Sequence, residues 1–168
     1  MIDTPEVTSS KHETAAVIHI QCPRERIKAE VEPAIREIMA ALESQGQSPR
    51  GALFMHHLTM SSTRFDVEVG FPVAAPLRES GRVKTSELPA AQVARTIYRG
   101  PYEGLHAAWN EFGKRLERDG LVDAKVLSPI KTLWERYLVG PETSTDPSQW
   151  RTELNLPLSP IASRNDMR

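Results

Sequence analysis

The chain carries the same pattern twice, and this duplication constrains its fold more than any other feature. Apolar residues at helical spacing, followed by a glycine, recur at an offset of 74 positions: Val31, Ile35, Ile38, Leu42 and Gly46, then Leu105, Trp109, Phe112, Leu116 and Gly120. The spacings keep one face of a helix apolar, and glycine readily ends a helix in the left-handed conformation. The strand-like segment Val67–Val73 recurs 85 positions later as Thr152–Leu158. The change from 74 to 85 predicts an insertion of 11 residues between the matched helix and the matched strand.

The repeat predicts an α+β fold. We expect a duplicated strand-helix-strand-strand unit whose antiparallel sheet has two helices packed on one face. The predicted strands cover about residues 15–21, 52–60, 65–73, 83–88, 91–98, 131–139 and 150–156. Pro33 indicates that the first regular helix begins near Glu32, since proline is tolerated in a first turn; that helix runs to about Ser44, and the second from about Tyr102 to Asp119.

The sequence predicts a single domain with a short segment on either side. Residues 1–14 are expected to be a disordered leader, and residues 159–168 a flexible tail. Residues 15–158 form the predicted single domain, with pseudo-repeats at about 15–73 and 83–158. Domains built from two matched units often bind ligands at the junction between the halves.

The composition excludes several classes of protein. A net charge of −1 over 168 residues gives no overall attraction to nucleic acid. The single Cys22 cannot form an internal disulfide, and no cysteine and histidine spacing matches a zinc site. A phosphate-binding glycine loop and a nucleophilic triad are also missing, so no metal or cofactor is expected. Without a signal peptide or an apolar run of about 20 residues, we expect a cytoplasmic protein, monomeric or a small oligomer.

Glu135 lies in the most unusual strand, residues 132–139. Strand alternation puts it on one face with Leu133 and Tyr137. A carboxylate among apolar and aromatic neighbours is costly to bury unless something pairs with it. Either this face is solvated, or Glu135 meets an arginine such as Arg95, or it is a buried acid that receives a ligand.

Other candidates have an ordinary structural explanation beside a functional one. Glu153 and its repeat partner Glu68 are expected to form a symmetric pair on the solvent face. Trp109 and Phe112 lie on the apolar face of the second helix, where core packing is the default. Tyr98 and Tyr102 bracket a tight turn that could direct both rings toward one cavity, or they pack with hydroxyls at the surface.

His56 and His57 are the only adjacent histidines. Neighbours on a strand point to opposite faces, so the two cannot share a metal ion. We expect one of them to face inward beside Phe54 or Met55, and the sequence does not indicate which.

Four motifs occur in an order that resembles one known family. They are Tyr98–Leu105 with its Gly-Pro-Tyr turn, Glu135–Tyr137, Gly140-Pro141 and Thr152–Pro157. Together they resemble the gyrase-inhibitor-like effector-binding family, the small-molecule-binding module also found at the C-terminal end of multidrug-responsive transcription activators. The resemblance covers most of residues 15–158, and the fold it implies is a duplicated strand-helix-strand-strand unit.

The resemblance implies a binding site for lipophilic cations. Glu135 would form the floor of an aromatic pocket between the two halves, with Tyr137 and Tyr102 lining it. Tyr98 departs from the family, which often has histidine at that position. Residues 1–14 are too few for a helix-turn-helix, so direct DNA binding is not expected. The predicted ligand-binding residues are Glu135, Tyr137, Tyr102, Trp109, Tyr98, Phe54 and His56.

Three functions remain open from the sequence. The first is a stand-alone protein that binds an amphipathic aromatic or cationic small molecule. The second comes from family members resembling hydrolases of reactive aromatic compounds, in which Glu135 would activate water and Tyr137 or Tyr102 would stabilise the leaving oxygen. The third is a regulator that acts on a protein partner, which the near-neutral charge does little to support.

Overall fold

The described part of the chain consists of strands and two long helices. The computed structural model describes residues 1–59, 61–121 and 132–158. The strands are β1 (Glu6–Ser10), β2 (Glu13–Pro23), β3 (Phe54–Thr59), β4 (Arg64–Pro72), β5 (Lys84–Leu88), β6 (Ala91–Arg99), β7 (Leu133–Val139) and β8 (Arg151–Pro157). The helices are α1 (Ile27–Ser44) and α2 (Leu105–Arg118), each preceded by a single 3-10 turn.

The chain divides into two compact units with the same internal topology. The first unit is Lys11–Ala90, and the second combines Met1–Ser10 with the chain from Ala91 onward. Strand order is β5-β2-β4-β3 in the first unit and β1-β6-β8-β7 in the second. All of these neighbouring strands pair antiparallel. Each unit is therefore a strand-helix-strand-strand repeat with one additional edge strand.

The predicted fold class is confirmed, and the helices bury matching residues. In the first unit α1 packs on β2 and β4, and in the second α2 packs on β6. Three buried positions of each helix match at the offset of 74: Ala34, Ile38 and Leu42 in α1, and Ala108, Phe112 and Leu116 in α2. Both helices end as predicted, with Gly46 at φ 70° and Gly120 at φ 73°.

The predicted disordered leader is wrong. Residues Glu6–Ser10 pair with β6, and Ile2 is buried in the core of the second unit. This segment lacks an apolar alternation because it is an edge strand that is mostly exposed, and its pairing is made by the backbone. The predicted tail at 159–168 lies outside the described residues.

Two further expectations about the elements are wrong. Residues 83–88 were expected to open the second half, but β5 pairs with β2 in the first unit. The equivalent edge position of the second unit is taken by β1. The first helix begins at Ile27, not near Glu32, and Pro33 lies inside it. Proline there leaves the carbonyl of Ala29 without its helical partner, but Ala29 is exposed and water can bind it.

The inserted residues fall at two places. Met55 pairs with Val69 between β3 and β4, and Glu135 pairs with Leu154 between β7 and β8. In both strand pairs a bulge follows two residues later, so Met55 and Glu135 are equivalent. The offset thus rises from 74 between the helices to 80 between β3 and β7, and to 85 between β4 and β8. Part of the insertion therefore lengthens the connection 140–150 between β7 and β8.

Candidate functional site

A buried carboxylate in the second unit is held by two aromatic side chains. Glu135 on β7 is 6% exposed. Its Oε2 accepts a hydrogen bond from the Trp109 indole nitrogen at 2.6 Å, and its Oε1 accepts one from the Tyr137 hydroxyl at 2.6 Å. Trp109 comes from α2 and Tyr137 from β7, so the carboxylate is held from both a helix and a strand. The prediction that Glu135 shares a face with Leu133 and Tyr137 explains how Tyr137 reaches it from two residues away.

Tyr137 is a hydrogen-bond donor at any ordinary pH. Burial, the charge of Glu135 and the hydrogen bond to it raise the pKa of the Tyr137 phenol well above its ordinary value of 10.0. The bulge that follows Tyr137 ends the regular pairing of β7 with β8. Bulges are common beside functional sites because they change the direction of a side chain.

Further rings extend the group around Glu135. The Tyr102 ring lies 5.7 Å from that of Tyr137 at an interplanar angle of 72°, and 4.9 Å from that of Trp150 at 35°. Burial raises the pKa of Tyr102 to about 12, and the carboxylates of Glu142 and Glu135 add to the shift. We call the four aromatic residues Tyr137, Tyr102, Trp109 and Trp150 the aromatic cluster.

Trp150 was not among the predicted ligand-binding residues. A signal for it was present, because Trp150 matches Phe65 at the same offset of 85 that relates β4 to β8. Phe65 is also a ring-contact residue, with its ring 5.6 Å from that of His57.

Tyr98 supports the turn before α2. Its hydroxyl donates to the Pro101 carbonyl at 2.8 Å, and its ring belongs to the core with Phe112. A Cβ atom added at Gly104 would lie 2.1 Å from this hydroxyl, so the Gly-Pro-Tyr-Glu-Gly turn closes over the tyrosine. The structure thus gives Tyr98 a packing role, and its predicted role in ligand binding remains a prediction.

An open groove of about 350 Å³ runs beside α2. Its lining includes Trp109, Phe112, Gly113, Leu156, Lys114 and Glu117. Trp109 therefore has two environments, since its indole borders the groove while its N–H group binds the buried Glu135.

The geometry can be compared with known proteins. The sequence profile of the GyrI-like small molecule binding domain matches residues 4–159. The chain belongs to this family. No curated protein sequence matches it. The described residues of this GyrI-like domain contain no helix that is both long and apolar enough to cross a membrane.

Several solved structures share the fold. The crystal structure of the EcmrR C-terminal domain has a TM-score of 0.73 and 20% identity, covering 92% of this chain and 96% of that one. The chain spans only 56% of EcmrR in its DNA complex. The structure of SAV2435 bound to tetraphenylphosphonium has a TM-score of 0.64 and 11% identity, covering 97% of this chain and 98% of that one. The crystal structure of a hydrolase from Listeria innocua has a TM-score of 0.60 and 14% identity, covering 92% of this chain and 91% of that one. At these identities, the likeness shows the fold alone.

The remaining predicted ligand residues lie in the first unit of this GyrI-like domain. Phe54 and His56 are both buried on β3. His56 faces Glu68 across the β3–β4 pair, whereas His57 faces Val67. By register, the residues that correspond to Glu135 and Tyr137 are Met55 and His57, one position away from the predicted pair.

Both histidines are buried, although only one was expected to face inward. Burial lowers the pKa of His57 to about 4, with a smaller contribution from the Arg24 charge. Burial also lowers the pKa of His56. Both imidazoles are therefore neutral near pH 7. Within the described ranges, no group of three acidic, cysteine or histidine residues could hold a metal ion.

The expectation that Glu68 and Glu153 lie on a solvent face is wrong. Glu68 is 8% exposed and accepts a hydrogen bond from Ser86 at 2.6 Å. Glu153 lies 3.2 Å from Arg136 and 3.5 Å from Arg95. Each unit thus uses the matched carboxylate in a local polar network. Arg95, one of the partners considered for Glu135, makes an ion pair with Glu153.

Proposed function

We propose that this GyrI-like domain binds amphipathic aromatic cations, with Glu135 as the counter-charge and the aromatic cluster as the wall of the site. The observation that carries the proposal is the buried Glu135 carboxylate, held at 2.6 Å by both Trp109 and Tyr137. Buried charged groups are concentrated at functional sites, and this carboxylate lies beside aromatic rings that could contact a cation.

The arrangement suits a cation for two physical reasons. Trp109 can only donate a hydrogen bond, and Tyr137 donates here, so both hold the carboxylate without cancelling its charge. The faces of Tyr102 and Trp150 add cation–π attraction of about 0.5–2 kcal/mol each. The solved complex of SAV2435 with tetraphenylphosphonium makes that cation a suitable probe.

Isothermal titration calorimetry with a charged and a neutral ligand tests the proposal. Tetraphenylphosphonium is a cation with four phenyl groups on phosphorus, and triphenylphosphine oxide is neutral and has three phenyl groups and an oxygen. We expect the cation to bind at least about tenfold more tightly, which corresponds to about 1.4 kcal/mol. Equal affinities, or no binding of the cation, would refute a cation-binding function.

A second function, hydrolysis, is favoured by the Tyr137–Glu135 hydrogen bond. The raised pKa keeps the Tyr137 phenol protonated, as a proton donor must be. In such a reaction Glu135 would take a proton from water, and the water oxygen would bond to an electrophilic carbon. The bond from that carbon to the leaving oxygen would break as Tyr137 or Tyr102 protonates that oxygen, and the proton on Glu135 would then return to the tyrosinate. One structure of similar fold is a hydrolase from Listeria innocua.

Turnover of an aryl ester such as phenyl acetate separates the two functions. If the domain is a hydrolase, Tyr137→Phe should lower kcat by about 10²-fold or more with little change in KM. Glu135→Gln should abolish turnover while ester affinity persists. Wild-type protein that releases phenol no faster than buffer would exclude hydrolysis of this ester and favour binding.

A further inference from the structure

Glu142 lies in a turn that is fixed by hydrogen bonds. The Gly140 carbonyl accepts bonds from the amides of Thr143 at 2.9 Å and Ser144 at 3.0 Å. The indole nitrogen of Trp150 donates to the Ser144 carbonyl at 2.8 Å. Because Trp150 also contacts Tyr102, the turn is attached to the aromatic cluster. This turn belongs to the lengthened connection 140–150 of the second unit.

The Glu142 carboxylate and the Tyr102 hydroxyl both lie close to Gly140. A Cβ atom added at Gly140 would lie 2.7 Å from the Tyr102 hydroxyl and 2.9 and 3.1 Å from the two Glu142 carboxylate oxygens. A side chain at this position would displace both groups, so glycine allows them to lie side by side. The raised pKa of Tyr102 agrees with this placement, because Glu142 contributes to it more than Glu135 does.

The aromatic cluster therefore lies between two carboxylates of different character. Glu135 is buried, whereas Glu142 is exposed. Both carboxylates contribute to the raised pKa of Tyr102, and its ring contacts those of Tyr137 and Trp150. We propose that Glu142 is an outer cation subsite, which attracts an aromatic cation to the Tyr102 and Trp150 rings before the cation reaches Glu135.

This inference rests on the proposed cation-binding function and adds a kinetic role that Glu135 does not have. An exposed charge at the rim of a site acts mainly on the association rate and is screened by salt. A buried charge that meets the ligand acts mainly on the dissociation rate. The two carboxylates should therefore be separable by kinetics, although they carry the same charge.

Stopped-flow tryptophan fluorescence with tetraphenylphosphonium tests the subsite on the full chain. Glu142→Gln should lower the association rate constant about two- to fivefold at low salt. The charge reversal Glu142→Lys should lower it further. Both effects should disappear near 1 M salt, where the screening length is about 3 Å. The dissociation rate should not change.

Glu6→Gln is the matched control, because it makes the same charge change on β1. Within the strand order β1-β6-β8-β7 of the second unit, β1 and β7 lie at opposite ends. An association rate in Glu142→Gln that equals that of Glu6→Gln would overturn the outer subsite while leaving the proposed function intact. A changed dissociation rate with an unchanged association rate would also overturn it. Wild-type protein that does not bind tetraphenylphosphonium would overturn both proposals.

Discussion

Replacing Glu135 by glutamine should weaken the binding of tetraphenylphosphonium by about 30-fold or more. Removing one partner of a buried charge pair costs about 2–5 kcal/mol, and 2 kcal/mol is about 30-fold in affinity. The amide keeps the shape of the side chain. Its oxygen can still accept from Trp109, and its NH₂ group can donate to the Tyr137 hydroxyl, so the local packing should survive. Calorimetry with the wild-type protein and the variant measures the difference.

The neutral ligand and a second variant make this result specific. Triphenylphosphine oxide should bind Glu135→Gln and wild-type protein with similar affinity, since only the charge has changed. Glu117→Gln removes a carboxylate that lines the groove beside α2. It should leave the affinity for the cation nearly unchanged. If Glu117→Gln causes the larger loss, the cation binds in the groove and not at Glu135.

Gly70→Ala should destabilise the protein by about 3 kcal/mol or more. A Cβ atom at Gly70 would lie 2.0 Å from the backbone carbonyl oxygen of Ala16 and 2.7 Å from a methyl group of Val17. Gly70 is paired with Val17 on β2 and with Phe54 on β3, so β4 cannot move away without disturbing both neighbours. Overpacking of a well-packed interior costs about 1–3 kcal/mol, and a backbone clash belongs at the upper end.

Alanine at Gly113 should change the free energy of unfolding in the opposite direction, so that the protein becomes more stable. Gly113 lies inside α2, and a Cβ atom there would meet nothing within 4 Å. Alanine should stabilise the helix by about 0.5–1 kcal/mol relative to glycine. Urea unfolding followed by circular dichroism measures both variants. A Gly70→Ala midpoint at or above that of wild type would contradict the close approach of β4 to β2.

The repeat made most of the elements predictable, because each helix carries its own periodic signal and its own glycine stop. Ala34, Ile38 and Leu42 are buried at the positions that match Ala108, Phe112 and Leu116. The edge strand β1 could not be predicted, since a polar edge strand has no apolar alternation. Its formation depends on the unpaired backbone of β6, which is distant in sequence.

The site was predictable only where it depends on one strand. Alternation predicted that Glu135 and Tyr137 share a face, and the hydrogen bond between their side chains agrees with this. The hydrogen bond from Trp109 requires the packing of α2 on the sheet, which residue spacing does not encode. Phe54 and His56 remain predicted ligand residues, and each precedes by one position the register counterparts of Glu135 and Tyr137, which are Met55 and His57. The turn at Gly140 and Glu142 lies in the connection that the insertion lengthens, so comparison of the two repeats does not predict it.

A crystal structure of the protein with tetraphenylphosphonium would show where the cation binds. We expect the phosphonium centre within about 6 Å of the Tyr102 ring, the range of cation–π attraction, and on the side that faces the Glu135 carboxylate. We also expect the Trp109 or the Tyr137 hydrogen bond to Glu135 to change when the cation binds. A phosphonium bound in the groove beside Gly113 and Lys114, with both hydrogen bonds to Glu135 unchanged, would refute cation binding at Glu135.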